Sequence, residues 1–200
     1  MSGTLPTSPA PRSLQLTSVY ANKISFAQSG KRQVRQDGGH LWRVQVSYAP
    51  MTKAQFRPIF AFLHAQEGGF GAFSAVLPDY ATPRGIATGS PVVSGGSQAG
   101  TTIILTGFTA STAGIMKAGD LIKFAGHSKV YMVTADANSG VAGATTLTIF
   151  PPLIASPADA EVVTVSSVPF TLMLDSPELV SPVEINSDYV GVGFSAVEAL

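Results

Sequence analysis

Between residues 101 and 167 the chain carries five short β-patterned runs with no helical pattern to interrupt them. The runs are TTIILTG (101–107), DLIKFA (120–125), KVYMVTA (129–135), TTLTIF (145–150) and EVVTVSS (161–167). Each is rich in β-branched and aromatic residues and is bounded by turn-forming ones. Five strands this short, so close together, imply a small closed or half-closed barrel, because closure removes the edges they would otherwise expose. IATGSPVVSGGSQAG (86–100), NSGVAGA (138–144) and FPPLIASPADA (150–160) read as loops around it.

The stretch MKAGDLIKFAGHSKVYMVTAD (116–136) brings an acid, lysines and a histidine close together in sequence. Catalytic partners must lie within hydrogen-bond reach, about 2.6–3.2 Å. Successive strand residues point to opposite faces, so Asp120 and Lys123 are expected to diverge. His127 falls on the hairpin loop Gly126–Lys129 and is expected to be solvated. The stretch reads as a structural hairpin.

Outside this region one segment is helical, MTKAQFRPIFAFLHAQEGG (51–69). Thr52 with Gln55 forms a capping-box pattern, and Phe56, Ile59, Phe60 and Leu63 make one apolar stripe. Gly68-Gly69 supplies a left-handed stop, while Pro58 should kink or delay the helix. LWRVQVSY (41–48) alternates cleanly as a strand, FGAFSAVL (70–77) follows the helix, and SLQLTSVYANKISF (13–26) holds one or two more strands. PFTLMLD (169–175), VEIN (183–186) and YVGVGFSAV (189–197) complete the set. The fold class is therefore mainly β (α+β). A discontinuous outer domain, 1–85 with 168–200, has one helix across a sheet, and the β-barrel of 86–167 is inserted in one of its loops.

Composition narrows the function classes. Only 12% of residues are charged, with 20 Gly and 14 Pro, which suits many short strands and a surface partly covered by partners. Without cysteine there are no disulfides or thiolate metal sites, and His40, His64 and His127 lack metal-ligand spacing. No cofactor is expected. No apolar run approaches a membrane span, and MSGTLPTSPAPRS lacks the apolar core of a secretory signal, reading instead as a loose arm. The formal net charge of zero hides an asymmetry. Residues 1–84 hold nine Lys/Arg against three acids, and residues 85–200 hold three against nine. The two halves can pair within one subunit or, head to tail, between copies.

The strand-rich N-terminal region, then TKAQFRPIFAFLHAQEGG (52–69), then FGAFSAVLPDY (70–80), resembles the ring-forming domain of distal tail proteins in long-tailed bacteriophages. MKAGDLIKFAGHSKVYMVTAD followed by TTLTIFPPL (145–153) is similar to the barrel carried by many tail-tip proteins. The resemblance covers roughly residues 13–197 and implies a homo-hexameric ring at the distal end of the tail tube, in the tail tip or baseplate of a siphophage virion. It implies partners in the tail tube protein and the hub or tip proteins, receptor-binding fibres or host saccharide as further contacts, assembly in the host cytoplasm, and an OB-like inserted barrel. An outer domain with a radius of gyration near 13 Å leaves a hole of about 24 Å in a ring of five and about 35 Å in a ring of six. Duplex DNA, about 20 Å across, would pass through either.

Three rival readings are weaker. No G-x-S-x-G, H-E-x-x-H or P-loop pattern is present, so no enzymatic activity is expected. A single-strand nucleic-acid binder needs a basic groove with exposed aromatics. Residues 101–167 instead carry three lysines against the acids 120, 136, 159 and 161. A saccharide-binding accessory module remains the alternative function, although Phe108, Phe124, Tyr131 and Phe150 are expected in the core. GKRQVRQDGGH (30–40) concentrates Lys31, Arg32 and Arg35. It reads as a solvated loop or, more sharply, as a basic inter-subunit contact loop docking on an acidic neighbour.

Overall fold

A computed structural model describes residues 3–181 and 189–200. The chain divides into two compact units, residues 1–73 with 172–198 and residues 74–171 with 199–200. The strands in chain order are β1 (Ser13–Phe26), β2 (Arg32–Ser47), β3 (Phe73–Val76), β4 (Gly89–Val93), β5 (Thr102–Phe108), β6 (Leu121–Phe124), β7 (Val130–Val133), β8 (Thr145–Phe150), β9 (Val163–Thr164), β10 (Pro169–Leu174) and β11 (Gly193–Glu198). The helix α1 (Lys53–His64) lies between β2 and β3. The fold is mainly β with one α-helix, as the periodicities require. The expected strand VEIN (183–186) lies outside the described residues.

The first sheet has the order β1-β2-β11-β10-β3. Trp42, Val44, Val46 and Tyr48 are all buried, so the alternation in LWRVQVSY sets a single inward face. Val44 and Val46 sit opposite Ala196 and Phe194 of β11. In α1, Phe56, Ile59 and Leu63 are buried, and Phe56 stacks on Phe60 and on Tyr189 at centroid distances of 5.0 and 4.1 Å. Gln55 Oε1 accepts the Thr52 backbone N–H at 3.0 Å, as the capping-box pattern predicts. Pro58 sits inside α1 without ending it. The helix ends at His64, before the glycine pair, and positive φ first appears at Glu67 and Gly68.

Two segments differ from the expectation in the same way. GKRQVRQDGGH was expected as a loop, yet β2 begins at Arg32, so Arg32 and Arg35 are strand residues and Lys31 directly precedes the strand. The hairpin turn is only Ala27–Lys31, closed by Ala27 N–H to the Lys31 carbonyl at 2.9 Å and Gly30 N–H to the Ala27 carbonyl at 2.8 Å. Polar, charged residues pass for loop when a strand leaves both faces in water, because no apolar alternation is then needed. The register shifts between Tyr20↔His40 and Asn22↔Gln36, which divides the hairpin into a base within the sheet and a projecting tip.

The second sheet, order β4-β5-β8-β7-β6-β9, is the expected barrel with one strand more than the five read from sequence. All five expected runs contribute strands. Inward positions alternate along β5 (Ile103, Leu105) and β8 (Leu147, Ile149) around a core that includes Phe124 and Tyr131. The sixth strand, β4, lies in the segment expected as a turn-rich loop. It pairs with β5, then meets the last strand through the Val92↔Val162 bridge, with Val93 N–H donating to the Glu161 carbonyl at 2.9 Å. The sheet is thereby nearly closed. Its composition hid it, since Gly89, Ser90 and Pro91 are poor strand formers. They are tolerated because the register slips between Gly89↔Phe108 and Val92↔Thr106, placing Pro91 in a bulge.

Candidate functional site

The acidic residues of the barrel are committed to backbone N–H groups. Asp120 is buried, and its Oδ1 accepts the Arg84 N–H at 2.6 Å. Its Oδ2 takes the N–H groups of Lys117 at 2.7 Å and Gly85 at 3.0 Å. Asp136 Oδ1 takes the Ala118 N–H at 2.9 Å and Asp159 Oδ1 the Gly95 N–H at 2.7 Å. Glu161 accepts the Gly126 N–H at 2.6 Å through Oε1 and the Ala158 N–H at 2.8 Å through Oε2. All four acids of residues 101–167 therefore organise turns. A carboxylate is well suited to this because charge-assisted hydrogen bonds are roughly twice as strong as neutral ones.

The charged stretch 116–136 resolves accordingly. β6 and β7 form the expected hairpin, with Leu121↔Met132 and Lys123↔Val130 in register. Asp120 and Lys123 do diverge: Lys123 Nζ donates to the Pro169 carbonyl at 2.9 Å and to Thr171 Oγ1 at 3.0 Å. His127 was expected to be solvated and is not. Its side chain is largely covered, with Nε2 4.0 Å from Glu161 Oε2 and its ring 5.4 Å from that of Phe124. The loop folds back because Glu161 draws in the Gly126 N–H. Glu161 lies 34 residues further along the chain, so local sequence carried no sign of the contact.

Among the described residues, no cluster of three or more His, Cys, Asp and Glu side chains could hold a metal ion. Of the four aromatic residues expected in the core, Phe108, Phe124 and Tyr131 are buried there, whereas Phe150 falls on the outward parity of β8 and is only half-buried. Tyr131 accepts the Ile154 N–H at 3.3 Å through its hydroxyl. In the other unit, the hydroxyl of Tyr48 is buried with no hydrogen-bond partner among the described residues, and desolvation raises its pKa to about 12.

The strongest candidate surface is the hairpin tip. There β1 and β2 pair as Asn22↔Gln36, Lys23↔Arg35, Ile24↔Val34, Ser25↔Gln33 and Phe26↔Arg32. Register places Ile24, Phe26, Val34 and Arg32 on one face and Lys23 and Arg35 on the other. Phe26 is 72% exposed, Val34 54% and Ile24 52%. Lys31, Arg32 and Arg35 are exposed as well, so the tip joins an apolar stripe to a cationic rim. The junction with the base is braced by the buried His40. Its Nε2 lies 2.8 Å from Ser18 Oγ and its ring packs edge-on against Tyr20 and Trp42.

Sequence reasoning found the three basic residues but missed the apolar stripe beside them. The signal was present as alternation in NKISF (22–26) and RQVRQ (32–36), on either side of the turn AQSGK (27–31). It was masked because the alternating apolar residues face water and not a core.

Residues 80–168 match the family described as distal tail protein pb9, B domain. The match spans all six strands of the barrel. No curated protein matches the chain. The resemblance to bacteriophage distal tail proteins therefore stands on the barrel segment: residues 80–168 are similar to the B domain of distal tail protein pb9.

Proposed function

We propose that this chain is a non-enzymatic structural protein of the virion. In this reading it forms a homo-hexameric ring at the distal end of the tail tube of a siphophage, joins the tube to the tail tip or baseplate and leaves a channel for DNA. Residues 1–85 with 168–200 serve as the ring-forming domain and 86–167 as the inserted barrel. The observation that carries the reading is the match of residues 80–168 to a distal tail protein domain. The commitment of all four barrel carboxylates to backbone N–H groups supports the non-enzymatic part, since none is left as an acid or base.

Lys31, Arg32 and Arg35 form the basic inter-subunit contact on this reading, supported by their exposure on a projecting hairpin. The neighbours are the tail tube protein and the hub or tip proteins. The glycan-binding alternative draws little support from the barrel's aromatic rings, since Phe108, Phe124 and Tyr131 are turned into the core and Phe150 alone is half-exposed. Negative-stain imaging and native mass spectrometry of the purified full chain test the proposal. Six-fold annuli and a six-subunit mass are expected. A chain that remains a single protomer at every concentration, alone and with its tail partners, overturns it.

A further inference from the structure

The hairpin tip has a counterpart on the same unit. A cavity of about 220 Å³ opens beside α1, with Phe60, Leu63, Leu174, Val180 and Phe194 in its apolar wall. An apolar cavity of about 150 Å³ already accommodates benzene, so this one has room for a phenyl ring. Its rim is acidic. Glu178 lines it, and Glu67, also exposed, stands on the turn whose Gly68 packs against Pro177. The tip offers the complement, an exposed phenyl ring at Phe26 beside Ile24 and Val34, with Arg32 on the same face and Lys31 at the turn.

The tip is held away from its own cavity. Phe194, in the cavity wall, is the register partner of Val46, whereas Phe26 is the partner of Arg32. Arg32 and Val46 are 14 residues apart along β2. At about 3.3 Å per residue, with some length lost at the register shift, the strand carries the tip about 40 Å away. The two complementary surfaces can then meet only between copies.

We propose that Phe26 of one copy inserts into the cavity beside α1 of the next, with Arg32 and Lys31 set against Glu178 and Glu67. The inference rests on the ring reading above and specifies which surfaces make the ring. Because tip and cavity are different surfaces, the contact is head-to-tail and repeats from copy to copy until a ring closes. It also sets the basic hairpin of one copy against acidic side chains of the next.

The chain has no cysteine, so introduced thiols report the contact directly. Under mild oxidation, a mixture of Phe26→Cys and Val180→Cys full-length chains is expected to give disulfide-linked pairs. The double variant is expected to give a ladder of linked oligomers. Phe26→Asp is expected to raise the concentration needed for half-assembly at least ten-fold in native mass spectrometry. Its melting temperature should be unchanged, since the side chain is mostly in water. If Phe26→Asp assembles like the parent chain and the mixed thiols do not link, the tip-in-cavity contact is overturned while the ring stands. Linkage between Phe26→Cys chains alone would place tip against tip and also overturn it. A parent chain that never assembles overturns the ring reading itself.

Discussion

The carboxylate of Asp120 reaches 35 residues back along the chain to accept the backbone N–H of Gly85 at 3.0 Å. The same group holds the N–H of Arg84 and of Lys117, so one buried side chain ties the segment leading into β4 to the turn before β6. Replacing it by alanine strands three donors. Asp120→Ala should therefore cost about 2–4 kcal/mol, read as a lower urea midpoint at unchanged slope. Asp120→Asn should recover little of this, because its amide brings donors toward donors. Full stability in Asp120→Ala would show that the carboxylate is dispensable.

Closure of the barrel depends on two glycines, Gly89 and Gly107, facing each other across the β4–β5 bulge. Gly107 has φ +90°, and a Cβ there would collide with the Ser90 carbonyl oxygen. Gly95 has a similar φ of +86° but open space around it. Gly95→Ala should cost only the left-handed conformation, about 1 kcal/mol. Gly107→Ala should cost at least twice as much, because backbone must move as well. Equal losses in thermal melts would mean that the close approach is easily relieved.

Tyr48 makes stability fall at high pH. Its phenol keeps its proton in the folded protein up to about pH 12, whereas an ordinary tyrosine phenol loses it at 10.0. The unfolded chain thus loses the proton first. The stabilisation is complete below pH 10 and is lost as pH rises through 12, a change of about 1–3 kcal/mol. Tyr48→Phe should flatten that part of the pH profile. Near neutral pH it should be neutral or slightly stabilising, since the buried hydroxyl has no partner among the described residues. A marked loss of stability at pH 7 would show that the hydroxyl is satisfied.

Charge reversal tests the basic rim separately from the fold of the hairpin. Arg35→Glu sets a carboxylate opposite Lys23, its register partner, which should favour the hairpin by a few tenths of a kcal/mol. Arg32→Glu combined with Arg35→Glu should weaken ring assembly at low salt and leave the melting temperature unchanged. The difference from the parent chain should shrink as salt is raised, because exposed charges are screened. Assembly indifferent to both charge and salt would remove these residues from the contact.

The sequence alone determined the elements whose residues meet a core. Alternation in TTIILTG and TTLTIF, the apolar stripe of α1 and the capping pattern of Thr52 and Gln55 each reflect burial of one face, and burial leaves a period. The inward aromatic residues and the divergence of Asp120 from Lys123 follow from the same period. Tertiary structure decided what has no local period. β4 is a strand because β5 and β9 flank it, despite Gly89 and Pro91. His127 is covered because Glu161, distant in sequence, pulls its loop inward. Arg32 and Arg35 belong to a strand because Lys23 and Phe26 pair with them across a short turn. Hydrogen bonds between segments far apart in sequence fix β4 and the His127 loop and impose no pattern on neighbouring residues. The alternation of the hairpin tip faces water and so marks no core.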